Sequence, residues 1–168
     1  KQKPEAAQVI ADTCNKLHVP CVVSDSDEAV LEKESVFGQT FSYKGEEFAI
    51  SLAGVYQKEN AVLALNALEE LDRLGWTTTM EQRKDGLLHT SWKGRFTVIN
   101  KKPLFIVDGA HNAGAADKMA ESVRHYFNGK KLIYIMGVFA DKDYRQMLEM
   151  VSDCSDTLIA FKPDNPSK

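Results

Sequence analysis

The period of the apolar positions changes along this chain, and the change marks out its elements. Between Pro4 and Leu17 the residues Ala7, Ile10, Ala11 and Leu17 fall on one helical face. Val19 to Val23 predicts a short strand, and the polar stretch from Ser24 to Glu34 an exposed loop or short helix. Phe41-Ser42-Tyr43 and Phe48 to Leu52 alternate around Lys44-Gly45-Glu46, the pattern of a hairpin turning at Gly45. Asn60 to Leu74 returns to the helical period: Ala61, Ala64, Leu65, Leu68 and Leu71 make one stripe, and Gly75 stands where a helix ends. Met80 to Leu88 predicts another short helix.

Beyond Ser91 the pattern becomes regular. Phe96–Ile99 and Leu104–Val107 are predicted strands around a turn at Asn100–Pro103. A helix over Ala115–Phe127 turns Ala116, Met119, Ala120, Val123 and Phe127 inward, and Asn128-Gly129 ends it. Leu132–Met136 is an apolar strand, Asp143 caps a helix running to Val151, and Thr157–Phe161 is a further strand. This alternation predicts an α/β, Rossmann-like, mainly parallel sheet, with Leu104–Val107, Leu132–Met136 and Thr157–Phe161 parallel in one sheet. The shift near Ser91 divides the chain into 1–91 and 92–168.

Composition narrows the partners. The 168 residues are 43% hydrophobic and 27% charged, an ordinary globular balance, and suffice for one domain or two small ones. A net charge of −3 without a basic run argues against nucleic acid. No apolar stretch approaches the ~20 residues of a membrane helix. Cys14, Cys21 and Cys154 form no C-x-x-C pair, so free thiols in a reducing cytoplasm are expected rather than disulfides or zinc.

The candidate chemistry gathers at strand ends. Leu104–Val107 delivers Asp108-Gly109-Ala110-His111-Asn112 to its carboxyl end, the edge where open α/β sheets bind ligands. The plain alternative is a turn with capping residues. Trp92-Lys93-Gly94-Arg95 lies just upstream, and Gly137 with Asp141-Lys142-Asp143 follows the next strand. Arg95 carries a permanently charged fork that matches phosphate oxygens, or else makes a surface ion pair. Asn60 can pair with a purine edge or cap its helix. The Tyr56 ring can pack beside a base or, by default, fill the core, and Trp92 is read as a packing residue. Asp108, His111, Asp141 and Asp143 make no recognised metal-ligand spacing.

These motifs resemble, in order and spacing, those of the folylpolyglutamate synthetase and dihydrofolate synthetase group of Mur-type ATP-dependent ligases. The carriers are Gly54-Val55-Tyr56-Gln57-Lys58-Glu59-Asn60-Ala61, Trp92-Lys93-Gly94-Arg95, Asp108–Asn112, and Gly137 with Asp141-Lys142-Asp143. Gln2-x-Pro4-Glu5 also fits, whereas Ser167 departs from the family's Arg after Asn165-Pro166. The resemblance implies that residues 1–91 end a central ATPase domain and that 92–168 form a Rossmann-like ligase domain. It implies Asn60 near adenine, Arg95 on phosphate, Asp108 on the ribose diol, and His111 either on the nucleotide or positioning the incoming amino acid. Arg95 and His111 are the implied catalytic residues. The implied reaction joins L-glutamate to a folate or dihydropteroate carboxylate through an acyl phosphate, using ATP and Mg2+, in a cytoplasmic monomer.

No G-x-x-x-x-G-K-[ST] phosphate loop occurs in the chain. The family's phosphate loop, magnesium ligands and modified lysine are therefore expected before Lys1, and the chain is expected to be an inactive fragment by itself. Two other readings stand beside this one: a Mur enzyme adding amino acids to a cell-wall nucleotide, and a noncatalytic nucleotide-binding module.

Overall fold

Lys44 and Gly45 both have positive φ, 50° and 80°. That is the two-residue hairpin turn whose twist suits antiparallel strands. It joins β2 (Gly38–Tyr43) to β3 (Glu46–Ile50), with Tyr43 opposite Glu46 and Phe41 opposite Phe48. Strand alternation puts Phe41, Tyr43, Phe48 and Ile50 on one face, and all four are buried. The computed structural model that shows this describes residues 3–139 and 142–164. The buried face packs on Ala61, Val62 and Leu65 of α2 (Gln57–Arg73), with Leu87 of α3 (Met80–His89) at its margin. A reciprocal capping box between Thr79 and Gln82 starts α3.

The other elements of this half depart from the sequence pattern in instructive ways. Helix α1 (Pro4–Leu17) forms with Pro4 in its first turn, but none of its residues is buried, and Ile10 and Leu17 are 45% and 63% exposed. Of its apolar stripe Ala7, Ile10 and Leu17 are exposed and Ala11 is half-buried. Val19–Val23, expected as a strand, is irregular and exposed. Strand β1 (Val30–Ser35) replaces the expected loop and pairs antiparallel with β2, with a bulge at Glu32. Its charged residues are those of an edge strand, where polarity protects unpaired backbone groups, so polarity alone misreads it as loop. Helix α2 begins at Gln57, three residues before the expected start.

In the second half β4 (Thr97–Lys101) and β5 (Leu104–Val107) form an antiparallel hairpin, steadied where Asn100 Nδ2 donates to the Pro103 carbonyl at 2.7 Å. Helix α4 (Ala113–Phe127) follows, then β6 (Ile133–Gly137), α5 (Tyr144–Ser152) and β7 (Thr157–Phe161). β6 and β7 pair in parallel, from Ile133 opposite Thr157 to Gly137 opposite Phe161. The expectation of three parallel strands in one sheet is corrected at β5. That strand bonds to β4, and no ladder joins it to β6 among the described residues. An apolar run shows that a segment is extended, but the two-residue link Lys102-Pro103 selects its neighbour as partner.

Side chains from both halves meet in one cluster. Ala53, which follows β3, packs with Phe96, with Met119 and Ala120 of α4, and with Val151 of α5; Ile106 and Tyr134 lie against them. Polar contacts reinforce the junction. Gln39 Nε2 donates to the Gly54 carbonyl at 2.8 Å and to Tyr126 Oη at 3.2 Å. The Val55 amide donates to Ser122 Oγ, and the Glu34 carboxylate takes both His125 and Tyr126. Among the described residues no helix is long and apolar enough to cross a membrane.

Candidate functional site

The Arg95 amide donates to the Trp92 carbonyl at 3.2 Å, closing a turn in which Gly94 has a φ of +78°. Thr97 Oγ1 also accepts from the Gly94 and Arg95 amides. The turn sets the Arg95 guanidinium 5.7 Å from the centre of the Trp92 ring. Trp92 is 64% exposed, so the expectation of a packing residue is corrected. The four-residue turn and its ring–cation contact leave the indole at the surface.

Asp108 ties this turn to the end of β5. One carboxylate oxygen accepts from the Phe96 amide and the other from the Ala110 amide, both at 2.8 Å. The Gly109 amide donates to the Gly94 carbonyl at 2.7 Å, and a Cβ on Gly109 would stand 3.3 Å from that same oxygen. Gly109 thus serves a close approach of two backbone turns. Each carboxylate oxygen has a second lone pair, so the two backbone bonds leave Asp108 able to accept further hydrogen bonds.

His111 is exposed and its Nδ1 lies 2.9 Å from the Gly109 carbonyl. A carbonyl only accepts, so Nδ1 carries the proton in that contact. Asn112 caps α4 by accepting from the Ala115 amide at 2.9 Å. Asn60 lies in the first turn of α2 rather than at its cap, and its amide donates to Gln57 Oε1 at 3.0 Å.

Asn60, Trp92, Arg95 and Asp108 line an open cavity of about 580 Å³. Ile50, Leu52, Ala61, Ala64, Leu87 and Ala115 supply apolar walls, while Asn60, Arg95, Asp108 and Lys118 supply polar groups, and Tyr56 and Trp92 add rings. Three of the four expected site residues, Asn60, Arg95 and Asp108, therefore share one cavity although 48 positions separate the first from the last. His111 is not part of its lining. Tyr56, expected to fill the core, is a half-buried wall of the cavity. Burial first, then the Asp108 charge, pushes its phenol up to about 12, while Arg95 works the other way. Lys118 escaped the sequence reading. It pairs with Glu121 at 2.8 Å, which raises its pKa, and it lies one helical turn after the cavity residue Ala115. That i, i+3 spacing was the available signal.

Asp143 caps α5 by accepting from the Gln146 amide. Asp141 and the Asn165–Lys168 segment lie outside the described residues. Among the described residues no group of three His, Cys, Asp or Glu side chains is placed to hold a metal ion.

Residues 94–168 match the family described as Mur ligase, glutamate ligase domain. The chain is 30% identical over 155 residues to the dihydrofolate synthase/folylpolyglutamate synthase of Bacillus subtilis (strain 168), covering 88% of this chain and 36% of that protein. It is 27% identical to the solved folylpolyglutamate synthase of Thermotoga maritima, with a TM-score of 0.75 over 98% of this chain and 40% of that one. The fold also superposes on the Mycobacterium tuberculosis folylpolyglutamate synthase complexed with ADP, with a TM-score of 0.83 at 24% identity, over 99% of this chain and 38% of that one. The chain thus spans well under half the length of the relatives it matches.

Proposed function

We propose that the chain, whose residues 94–168 match the family described as Mur ligase, glutamate ligase domain, serves an ATP-dependent ligase joining L-glutamate to the carboxylate of a folate or dihydropteroate. The observation that carries this reading is the single cavity in which Asn60, Arg95 and Asp108 meet. Its composition fits a nucleotide: apolar walls for a base, a cation for phosphate and acceptors for hydroxyls.

ATP supplies the phosphoryl group that makes a carboxylate electrophilic. The chain's residues bind and orient. Ile50, Leu52, Ala64 and Leu87 exclude water from the base. Asn60 presents its amide to the purine edge, and Asp108 takes ribose hydroxyls on the lone pairs its backbone bonds leave over. Arg95 meets phosphate oxygens with two N–H groups at once, and Lys118 adds positive charge on the same side. His111, exposed beyond the cavity lining, is assigned to the incoming glutamate. Among the described residues no group of three His, Cys, Asp or Glu side chains is placed to hold Mg2+. Three free cysteines suit the reducing cytoplasm in which such an enzyme works, as a monomer.

Incorporation of labelled glutamate tests the reading, using the gene's full reading frame with folate, dihydropteroate and cell-wall nucleotide acceptors in parallel. Label is expected on a folate or dihydropteroate acceptor, and to fall at least tenfold in Arg95→Ala. Label on the cell-wall acceptor alone, or on none, would reject the proposal.

A further inference from the structure

An indole that is 64% exposed at the mouth of a cavity calls for an explanation, because the proposed binding chemistry gives Trp92 no part. The turn supplies one. Residues one and four of a hydrogen-bonded turn stand side by side, and here they are an aromatic ring and a guanidinium. Gly94, with its positive φ, permits the turn, and Thr97 Oγ1 fastens it by accepting from two of its amides and donating to the Trp92 carbonyl. The ring is thereby held beside Arg95 before any ligand arrives.

The kind of contact matters. Arg95 forms no ion pair with a carboxylate among the described residues. A carboxylate would occupy the N–H edge that a phosphate needs. A π face attracts the cation without accepting its in-plane hydrogen bonds, so the N–H groups remain available. A guanidinium on a long flexible stem also loses much rotamer freedom when it binds an anion, and a ring that already restrains it lessens that loss.

We infer that Trp92 is a positioning residue, whose ring holds the Arg95 guanidinium at the cavity mouth with its N–H edge directed to an incoming phosphate. The anion in this inference rests on the nucleotide reading proposed above; the restraint on Arg95 does not. The spacing in Trp-x-Gly-Arg then has one physical cause, a turn that needs glycine third and sets its first and fourth side chains together.

The test uses the protein of the gene's full reading frame, labelled with 15N at arginine, as wild type, Trp92→Phe and Trp92→Ala, with circular dichroism as the folding control. The Arg95 Nε–Hε resonance is expected to be displaced by the ring current in the wild type, partly displaced in Trp92→Phe, and undisplaced and more mobile in Trp92→Ala. Titration with ADP is expected to weaken about two- to fivefold in Trp92→Ala, the scale of an exposed cation–π contact, and to stay within about twofold in Trp92→Phe. In an Arg95→Ala background Trp92→Ala should have no further effect. An unchanged Arg95 resonance in Trp92→Ala overturns the inference. So does an equal loss of ADP affinity in the Arg95→Ala background, which would mean that the ring touches the nucleotide itself. If the wild type binds no ADP, the nucleotide reading fails, and the resonance still decides whether Trp92 restrains Arg95.

Discussion

The β2–β3 hairpin and the β6–β7 pair differ in how their apolar residues are spaced and end in opposite states. In the hairpin, apolar and polar residues alternate, and α2 and α3 close the apolar face, leaving Phe41 fully buried. In the parallel pair the apolar residues are contiguous. Tyr134 and Met136 meet the helices α4 and α5, but every residue of β7 is exposed, including Ile159 at 47% and Phe161 at 56%. Alternation suits a sheet with one wet face, whereas continuous apolar strands suit one covered on both. The described residues cover only one side of β6–β7. Core stability should therefore concentrate in the first half, while the second half contributes ligand-facing turns.

The strongest way to break this comparison is truncation on each side. Phe41→Ala removes a fully buried ring stacked on Phe48 at 5.6 Å and should cost about 3–5 kcal/mol. Ile159→Ala, on an exposed strand, should cost less than about 1 kcal/mol. Denaturant unfolding of both variants decides, and equal losses would show the asymmetry to be false.

Asp108→Asn comes next, because it tests whether the binding turns carry stability of their own. The carboxylate accepts two backbone amides, and an amide side chain offers only one acceptor oxygen. A loss of about 1–3 kcal/mol is expected, together with weaker ADP binding in calorimetric titration. Loss of binding without loss of stability would assign Asp108 to the ligand alone.

A smaller effect is expected where the two halves meet. The Glu34–His125 pair is partly solvated, with 21% and 47% of the side chains exposed, so its coupling energy should be about 0.2–1 kcal/mol. A double-mutant cycle with Glu34→Gln and His125→Ala measures it, and a value above about 2 kcal/mol would make this contact a principal tie rather than a trim.

The last expected effect appears only in alkali, outside the ordinary working range of pH. The Tyr56 phenol is pushed to about 12 by burial first and by Asp108 second, and that of Tyr134 to about 12 by burial and then Asp108. The folded state therefore favours the neutral phenols. Their contribution is complete below the ordinary value near 10 and is lost as pH rises through about 12. Ultraviolet titration of tyrosinate should show both late steps, Tyr56→Phe should remove one, and Asp108→Asn should bring both earlier. Ordinary midpoints near 10 would contradict the burial of these rings.

Much of this was written in local pattern. The α4 face of Ala116, Met119 and Ala120, the hairpin at Gly45, and the caps at Asn112 and Asp143 follow from periodicity, from glycine's access to positive φ, and from side-chain acceptors near helix amides. Such interactions span a few residues, so the sequence by itself determined them. Partner choice was different. Only the folded chain decided that β5 pairs with β4, that charged Val30–Ser35 is an edge strand, and that most of the α1 stripe stays exposed. The same holds at the cavity. Asp108 and Arg95 were recognisable as motif residues, but their meeting with Asn60 depends on the packing of α2, β5 and the Trp92–Arg95 turn. The exposure of Trp92 and the entry of Lys118 depend on it too. Residue type determines what a side chain can do, while burial and neighbours, set by contacts distant in sequence, decide which of those uses it is put to.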